Sequence, residues 1–128
     1  MTFDEKPRRV AVTGASGLIG RALLSQLKMA GHRVAAVSRG AGENAWNVAT
    51  GELHLAEPAD AVVHLAGRSV AARWTRRVRR EIWDSRVPAT QKLSEGLARL
   101  PENQRPALLI SASAIGIYGN RGDEVLSE

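Results

Sequence analysis

The amino-acid sequence predicts an α/β domain built on a doubly wound parallel sheet. Short continuous apolar runs, typical of strands buried on both faces, alternate along the chain with amphipathic stretches of helical period. A glycine-rich turn separates the first apolar run from the first such stretch. The 128 residues, 44% of them hydrophobic, suffice for one domain with a core, so we treat residues 1–128 as a single domain.

The first unit of this pattern extends from Val10 to Arg39 and reads VAVTGASGLIGRALLSQLKMAGHRVAAVSR. It contains a strand at residues 10–12, a glycine turn, a helix and a second strand at residues 34–37. The helix is amphipathic, and its predicted buried stripe is formed by apolar residues four apart: Ile19, Leu23 and Leu27.

The turn in this unit carries three glycines, Gly14, Gly17 and Gly20, each three positions from the next. Gly14 permits a sharp exit from the strand, Gly17 lets backbone N–H groups approach a ligand, and Gly20 allows close packing of the helix on the sheet. A helix N-terminus attracts anions through its free N–H groups and dipole. The strand, turn, helix and strand therefore favour a dinucleotide pyrophosphate site over an ordinary glycine-rich turn without a ligand.

The second strand ends in Ser38 and Arg39, 24 and 25 positions after Gly14. This is where the adenosine ribose of a bound dinucleotide lies, and NAD sites usually carry an acidic residue there. A hydroxyl and a guanidinium suit a 2′-phosphate instead. The pair therefore predicts NADP, and the alternative is a solvated arginine just past a strand end.

Three further strands complete the predicted sheet, at residues 46–48, 61–65 and 107–110. A helix precedes the last of them, with Thr90, Leu93, Leu97 and Leu100 on its buried face and Pro101 as its stop. We expect five parallel strands in the order 3-2-1-4-5. Ligands in such sheets lie beyond the carboxyl ends of strands, so the residues at the end of the fourth strand and in the small-residue loop after it should line the cofactor: Leu65, Ala66 and Gly67.

Two polar residues near strand ends are candidates for chemistry. His64 lies within the fourth strand, where packing is the commoner role, and we predict that it is packed. Ser113 follows the fifth strand in the segment SASAIGIYG. Its hydroxyl could hydrogen-bond a substrate carbonyl or alcohol near a nicotinamide, or it could satisfy backbone groups of the loop.

Composition excludes some classes of function. The chain has no cysteine, which rules out disulfides, thiolate catalysis and Cys-ligated zinc, and we predict no metal site. No export signal or apolar run near the roughly 18 residues of a membrane helix is visible, so we expect a cytoplasmic protein without membrane contact. The net charge of +5 concentrates in the arginine-rich stretch 68–86. A solvated helix face with Trp74, Val78 and Ile82 on its inner side is favoured there over nucleic-acid binding.

Together these segments resemble a known family. TGASGLIG, VSR, DAVVHLAG, RWT, DSR and SASAIGIYG are similar to the extended short-chain dehydrogenase/reductases. They resemble more closely the atypical branch of that superfamily called epimerase family proteins, which are NAD-dependent epimerase/dehydratase-like. The resemblance extends from Arg9 to the last residue, and it implies a Rossmann fold and NADP. The contact positions that it implies for the cofactor are Gly14, Ser16, Gly17, Leu18, Ile19, Gly20, Ser38, Arg39, Leu65, Ala66, Gly67, Glu81 and Arg86.

Two positions depart from the pattern of typical members. Arg86 stands where those members carry the asparagine of a proton relay. The signature Tyr-x-x-x-Lys is also missing, because Tyr118, the single tyrosine, is followed four positions later by Gly122. Ser113 matches the active-site serine of the superfamily and is our candidate catalytic residue. Arg86 could clamp a phosphate and Glu81 could hold Arg86 or an adenosine group, and the alternative is that both are surface residues.

Family members are much longer than this chain, so the sequence resembles the N-terminal part of a larger protein without its substrate lobe. We expect an NADP(H)-binding half of an oxidoreductase or epimerase for a carbonyl or nucleotide-sugar-like substrate, with weak or no activity in isolation. The alternative is a non-catalytic NADP-binding or redox-sensing module. The last strand would leave an uncovered edge, which predicts self-association or poor solubility.

Overall fold

The computed structural model describes residues 6–114 and 119–127. Within them, strands and helices alternate as the apolar runs predict. The elements are β1 (Arg9–Thr13), α1 (Leu18–Met29), β2 (Arg33–Arg39), β3 (Asn44–Trp46), β4 (Leu53–Leu55), β5 (Ala61–His64), α2 (Arg76–Asp84), α3 (Val87–Ala98), a 3₁₀ turn (Glu102–Gln104) and β6 (Leu108–Ser111).

The strands form one sheet in the order β4-β3-β2-β1-β5-β6. Strands β3, β2, β1, β5 and β6 are parallel and reproduce the predicted order 3-2-1-4-5. The predicted count of five is wrong, because β4 adds a sixth, antiparallel strand whose residue Leu53 pairs with Trp46. Three residues of the sequence Leu-His-Leu are too few to show the period of a strand. The third strand also begins and ends two residues earlier than predicted.

Helices cover both faces of the sheet. On one face, Leu23, Leu24 and Leu27 of α1 pack against buried valines of β1 and β5. On the other face, Leu93 and Leu97 of α3 lie in a core with residues of the strands: Ala11, Ala35, Val37, Trp46, Leu53 and Val62. This two-sided burial explains why the strands read as continuous apolar runs.

The predicted buried stripe of α1 is wrong at one position. Ile19 is 67% exposed, and Leu24 takes part in the packing instead. A helix that follows a parallel strand starts beyond the carboxyl edge of the sheet, so the first turn of α1 has no strand beneath it. Ile19 and its neighbour Leu18, which is 82% exposed, are therefore free to contact a ligand.

The arginine-rich stretch is helical over a shorter range than predicted. Helix α2 begins after Thr75, whose Oγ1 accepts the N–H of Val78 at 3.2 Å. Trp74 precedes the helix and is 56% exposed, so it does not share the half-buried face of Val78 and Ile82.

Two arginines of α2 form ion pairs one helical turn along their own helix. Arg77 pairs with Glu81, and Arg80 pairs with Asp84. Pairs of this kind are typical of a solvated helix face. They support that interpretation of the stretch, and the absence of nucleic-acid binding stays a prediction.

Helix α3 touches the turn between β3 and β4 through two glycines that the sequence analysis did not single out. A Cβ on Gly96 would overlap the carbonyl oxygen of Gly51. The Lys92 ammonium donates to the Ala49 carbonyl at 2.6 Å, and the Arg99 guanidinium donates to the Thr50 carbonyl at 3.2 Å. The far end of the sheet is thereby held to the helix layer.

Candidate dinucleotide-binding site

The glycine turn, residues 14–20, connects β1 to α1 at the carboxyl edge of the sheet. Gly14 has φ +69°, a conformation that side chains other than glycine rarely adopt. A Cβ on Gly14 would stand 2.7 Å from both the Ala66 amide nitrogen and the Leu65 carbonyl carbon. The turn therefore lies directly against the backbone that follows β5, with no room for a side chain between them.

Gly20 has a different role from the predicted one. Its missing Cβ would overlap the carbonyl oxygen of Gly14 and lie within 3 Å of the Cα of Ala15. The close approach is thus between the helix and its own preceding turn rather than between the helix and the sheet. Spacing alone cannot distinguish the two, because both require a glycine one turn into the helix.

The N-terminus of α1 faces outward from this turn. Gly17 is its N-cap residue, and no side chain caps the helix. The Gly17 N–H itself donates to the Gly14 carbonyl at 3.1 Å. The first-turn N–H groups have no intrahelical acceptor, so they can bind an anion. The residues exposed around them are Ser16, Gly17, Leu18 and Ile19.

Ser38 and Arg39 end β2, the strand next to β1, and both are exposed. The Ser38 hydroxyl donates to the Asn44 carbonyl at 3.3 Å, which fixes its oxygen beside the start of β3. Among the described residues, the Arg39 guanidinium makes no hydrogen bond or ion pair. A cation is therefore available at the carboxyl end of β2.

The segment after β5 completes the site from the other side of β1. The Leu65 N–H donates to the Thr13 carbonyl at 3.2 Å, and the Ala66 N–H lies 3.4 Å from the Thr13 hydroxyl. Leu65 and Ala66 are half-buried and Gly67 is exposed. After β1 the chain continues to β2 on one side of β1, and it later returns to form β5 on the other side. The turn after β1 therefore lies at the topological switch point of the sheet.

His64 is packed, as predicted. It is 3% exposed and contacts the Trp46 ring edge-to-face at a centroid distance of 5.3 Å. Its Nδ1 lies 2.6 Å from the Thr13 hydroxyl, and its Nε2 lies 3.1 Å from the Thr90 hydroxyl. Burial lowers the pKa of His64 and favours the neutral ring. This ring joins β1, β5 and α3 beneath the glycine turn.

Arg86 lies against Gly67, whereas Glu81 pairs with the next residue, Arg68, so among the described residues Glu81 does not hold Arg86. The Glu81 carboxylate forms ion pairs with Arg77 and Arg68 at 2.9 and 3.0 Å, and their hydrogen bonds lower the pKa of Glu81. An Arg86 NH1 group donates to the Arg68 carbonyl at 2.9 Å. Glu81 and Arg86 therefore both contact Arg68. Sequence reasoning did not identify this shared contact, because no motif includes Arg68.

Ser113 lies two residues beyond β6, on the same edge of the sheet. The Ala112 N–H donates to the His64 carbonyl at 3.1 Å, so this segment continues alongside β5 after the strand ends. Ser113 is exposed. Tyr118, the single tyrosine of the sequence, falls outside the described residues.

Fold and geometry together define a dinucleotide-binding α/β domain of the Rossmann type: the glycine turn, the free helix N-terminus and the three strand ends meet at one edge. The sequence profile of the NAD dependent epimerase/dehydratase family matches residues 10–128. The chain belongs to this family.

Relatives that match the sequence are named epimerase family proteins. The chain is 40% identical to Epimerase family protein Mb2239 of Mycobacterium bovis over 126 residues, which cover 93% of this chain and 40% of the relative. It is 33% identical to Epimerase family protein YfhF of Bacillus subtilis over 128 residues, covering 93% of this chain and 42% of the relative. The chain thus spans about two fifths of the length of these relatives.

Solved structures agree with these sequence matches. Human epimerase family protein SDR39U1, whose crystal structure contains NADPH, superposes with a TM-score of 0.70 at 32% identity, over 84% of this chain and 37% of that one. A nucleoside-diphosphate sugar epimerase from Corynebacterium glutamicum superposes with a TM-score of 0.70 at 36% identity. The match covers 97% of this chain and 26% of that one. Among the described residues, no helix has both the length and the apolar character that crossing a membrane requires.

Proposed function

We propose that this chain is the NADP(H)-binding portion of an oxidoreductase or epimerase that acts on a carbonyl or nucleotide-sugar-like substrate. The observation that carries the proposal is the joint position of the glycine turn and Arg39 on adjacent strand ends. An uncapped helix N-terminus beside a free guanidinium provides two separate anion sites. NADP has two such groups, a pyrophosphate and a 2′-phosphate.

In this proposal each part of the site has one task. The backbone of the glycine turn, from Gly14 to Gly20, binds the pyrophosphate, with Ser16, Leu18 and Ile19 on its exposed side. Ser38 and Arg39 hold the 2′-phosphate. The segment Leu65 to Gly67 forms the wall beside the adenosine half, since the backbone of Leu65 and Ala66 lies directly against Gly14.

The chemical step is hydride transfer to or from the nicotinamide, which the bound cofactor supplies. The chain's own contribution is positioning. The glycine turn orients the cofactor against the edge of the sheet, and the exposed Ser113 hydroxyl beyond β6 orients the substrate carbonyl or alcohol by a hydrogen bond. A serine hydroxyl alone is too weak an acid or base to transfer the proton, so the isolated chain is catalytically weak.

A second candidate is an NADP-binding module without chemistry, such as a redox sensor. One observation favours it: the single tyrosine of the sequence has a glycine four positions later, where short-chain reductases carry a lysine. A tyrosine and lysine supplied close to the nicotinamide by later residues of a longer protein would decide for the enzyme. Turnover of a carbonyl substrate by this chain, abolished in Ser113→Ala, would contradict the claim of weak activity.

Calorimetric titration with NADPH and, separately, NADH tests the proposal. We expect tighter binding of NADPH, by roughly 10- to 100-fold, because the 2′-phosphate gains a charge-assisted hydrogen bond. Arg39→Ala should erase that preference and leave NADH binding unchanged. Arg79→Ala, an equal change of charge on the exposed face of α2, is the matched control. Equal affinities for both nucleotides in the unaltered chain would contradict the assignment of NADP.

A further inference from the structure

The segment that follows β5, residues 65–68, is held from two sides. We call it the β5 loop. On the β1 side, its backbone bonds to the carbonyl and hydroxyl of Thr13. On the other side, the Arg68 N–H donates to the Ser85 hydroxyl at 2.8 Å, and that hydroxyl donates to the Ile82 carbonyl at 2.9 Å. The end of α2 thus fixes the far end of the loop.

Arg86 is the principal contact on that second side. Its NH1 group donates to the carbonyl of Arg68 at 2.9 Å and lies 3.3 Å from both the Ile82 carbonyl and the Ser85 hydroxyl. The guanidinium also covers Gly67. A Cβ built on Gly67 would stand 3.3 to 3.4 Å from three of its atoms, CZ, NH1 and NH2. The guanidinium therefore packs flat against the loop.

Glu81 reinforces this arrangement through the side chain of the loop's last residue. Its carboxylate accepts from Nε of Arg68 at 3.0 Å and from Nε of Arg77 at 2.9 Å. The backbone of Arg68 is held by Ser85 and Arg86, and its side chain is held by Glu81. Glu81 and Arg86 consequently act on the same loop through different atoms of one residue.

We infer that Arg86 is a positioning residue for the nucleotide site: it fixes the β5 loop as the wall beside the adenosine half. The inference rests on the proposed function. Its basis is that the NH1 group is bonded to the loop and to α2, and that three atoms of the guanidinium lie against Gly67. Removing Arg86 then weakens cofactor binding by loosening the loop rather than by removing a charge.

The test combines hydrogen exchange with two nucleotide probes on the full chain. Arg86→Ala should raise the exchange rate of the Arg68 amide at least about tenfold without any ligand. It should also weaken the binding of NADPH and the binding of adenosine 2′-monophosphate by the same factor, about fivefold. The second probe lacks a pyrophosphate, so a direct clamp on that group would leave its affinity unchanged. Arg80→Ala, which removes an equal charge from α2 without touching the loop, should change none of these values.

Each result decides a separate claim. Unchanged exchange at Arg68 in Arg86→Ala, or a loss confined to NADPH, would overturn the positioning role while the proposed cofactor stands. Arg86→Lys keeps the charge but not the planar fork, so it should restore little of the loop's protection; full recovery of NADPH affinity in that variant would also overturn the inference. If the unaltered chain binds neither probe, the proposed function fails, and the positioning role fails with it.

Discussion

Gly14 lies so close to Ala66 that a Cβ on the glycine would stand 2.7 Å from the amide nitrogen of the alanine. The contact joins the turn after β1 to the loop after β5. These are the two segments that flank the switch point of the sheet, so one glycine sets the width of the crevice between them.

Replacement of Gly14 by alanine should destabilise the fold and abolish nucleotide binding. The new methyl meets backbone atoms, which cannot rotate away, and the positive φ adds strain. We expect a loss on the order of 3 kcal/mol in the free energy of unfolding, measured by urea denaturation. Gly31→Ala is the matched control, because Gly31 has φ +81° but open space around it. It should cost only about 1 kcal/mol, and equal costs would show that the contact with Ala66 is unimportant.

The buried ring of His64 should make stability depend on pH. Burial lowers its pKa below the ordinary value of 6.5, so the unfolded chain binds more protons than the folded one as the pH falls through 6.5. His64 therefore makes the free energy of unfolding decrease over that window, by at most about 1.4 kcal/mol per pH unit, until the pH passes below the folded pKa. The ring's neighbours, Thr13 of β1, Trp46 of β3 and Thr90 of α3, do not titrate in this range.

Urea denaturation at several values between pH 7.5 and pH 5 would measure this slope. His64→Asn should be less stable at neutral pH but should flatten the slope between about pH 6.5 and pH 5. His54→Gln, at an exposed position of β4, should leave the slope as it is. A slope that survives in His64→Asn would assign the pH dependence to other groups.

Replacement of Gly96 by alanine should destabilise the protein, although glycine-to-alanine changes usually stabilise helices. Alanine is favoured over glycine by about 1 kcal/mol in a helix interior. At Gly96, however, the Cβ would overlap the Gly51 carbonyl oxygen. We expect Gly96→Ala to lower the free energy of unfolding by roughly 2 to 3 kcal/mol. Ser94→Ala, at an exposed position of the same helix, should stay within about 0.5 kcal/mol. A stabilised Gly96→Ala would mean that α3 does not approach the turn this closely.

The outer strand β6 should promote self-association. Among the described residues it pairs only with β5, and its Leu108 and Ile110 are 52% and 50% exposed. An open edge with apolar side chains favours pairing with another strand. Sedimentation velocity should show association that grows with concentration and is reduced by Ile110→Lys. Leu126→Lys, at a 45% exposed leucine outside the sheet, is the control. A monomer at all concentrations would contradict the prediction.

Local patterns in the sequence predicted the parts of this structure that depend on nearby residues. The glycine spacing located the turn, and the apolar runs located five strands and their order. The helix with Leu93 and Leu97 was predicted correctly because its buried face repeats with a clear period. The family, which is confirmed, could also be predicted from local sequence, because its motifs are short segments that lie at turns of the chain.

Features that depend on three-dimensional contacts or on where an element begins were missed or assigned wrongly. The role of Gly20 against the Gly14 carbonyl, the contact of Gly96 with Gly51 and the exposure of Ile19 each require knowledge of what lies opposite in space. Strand β4 was not predicted because three residues are too few to show the alternation of a strand. Trp74 was placed on a helix face because its spacing to Val78 suits one, but the helix begins only after Thr75.

The central claim, that the edge formed by the glycine turn, β2 and the β5 loop binds NADP(H), is tested most directly by amide NMR of the chain titrated with NADPH. We predict that shift changes concentrate at residues 14–20, 38–39 and 65–67, and that NADH leaves the amides of residues 38–39 nearly unchanged. No shift changes at all, or changes centred on the arginine-rich face of α2, would contradict the account.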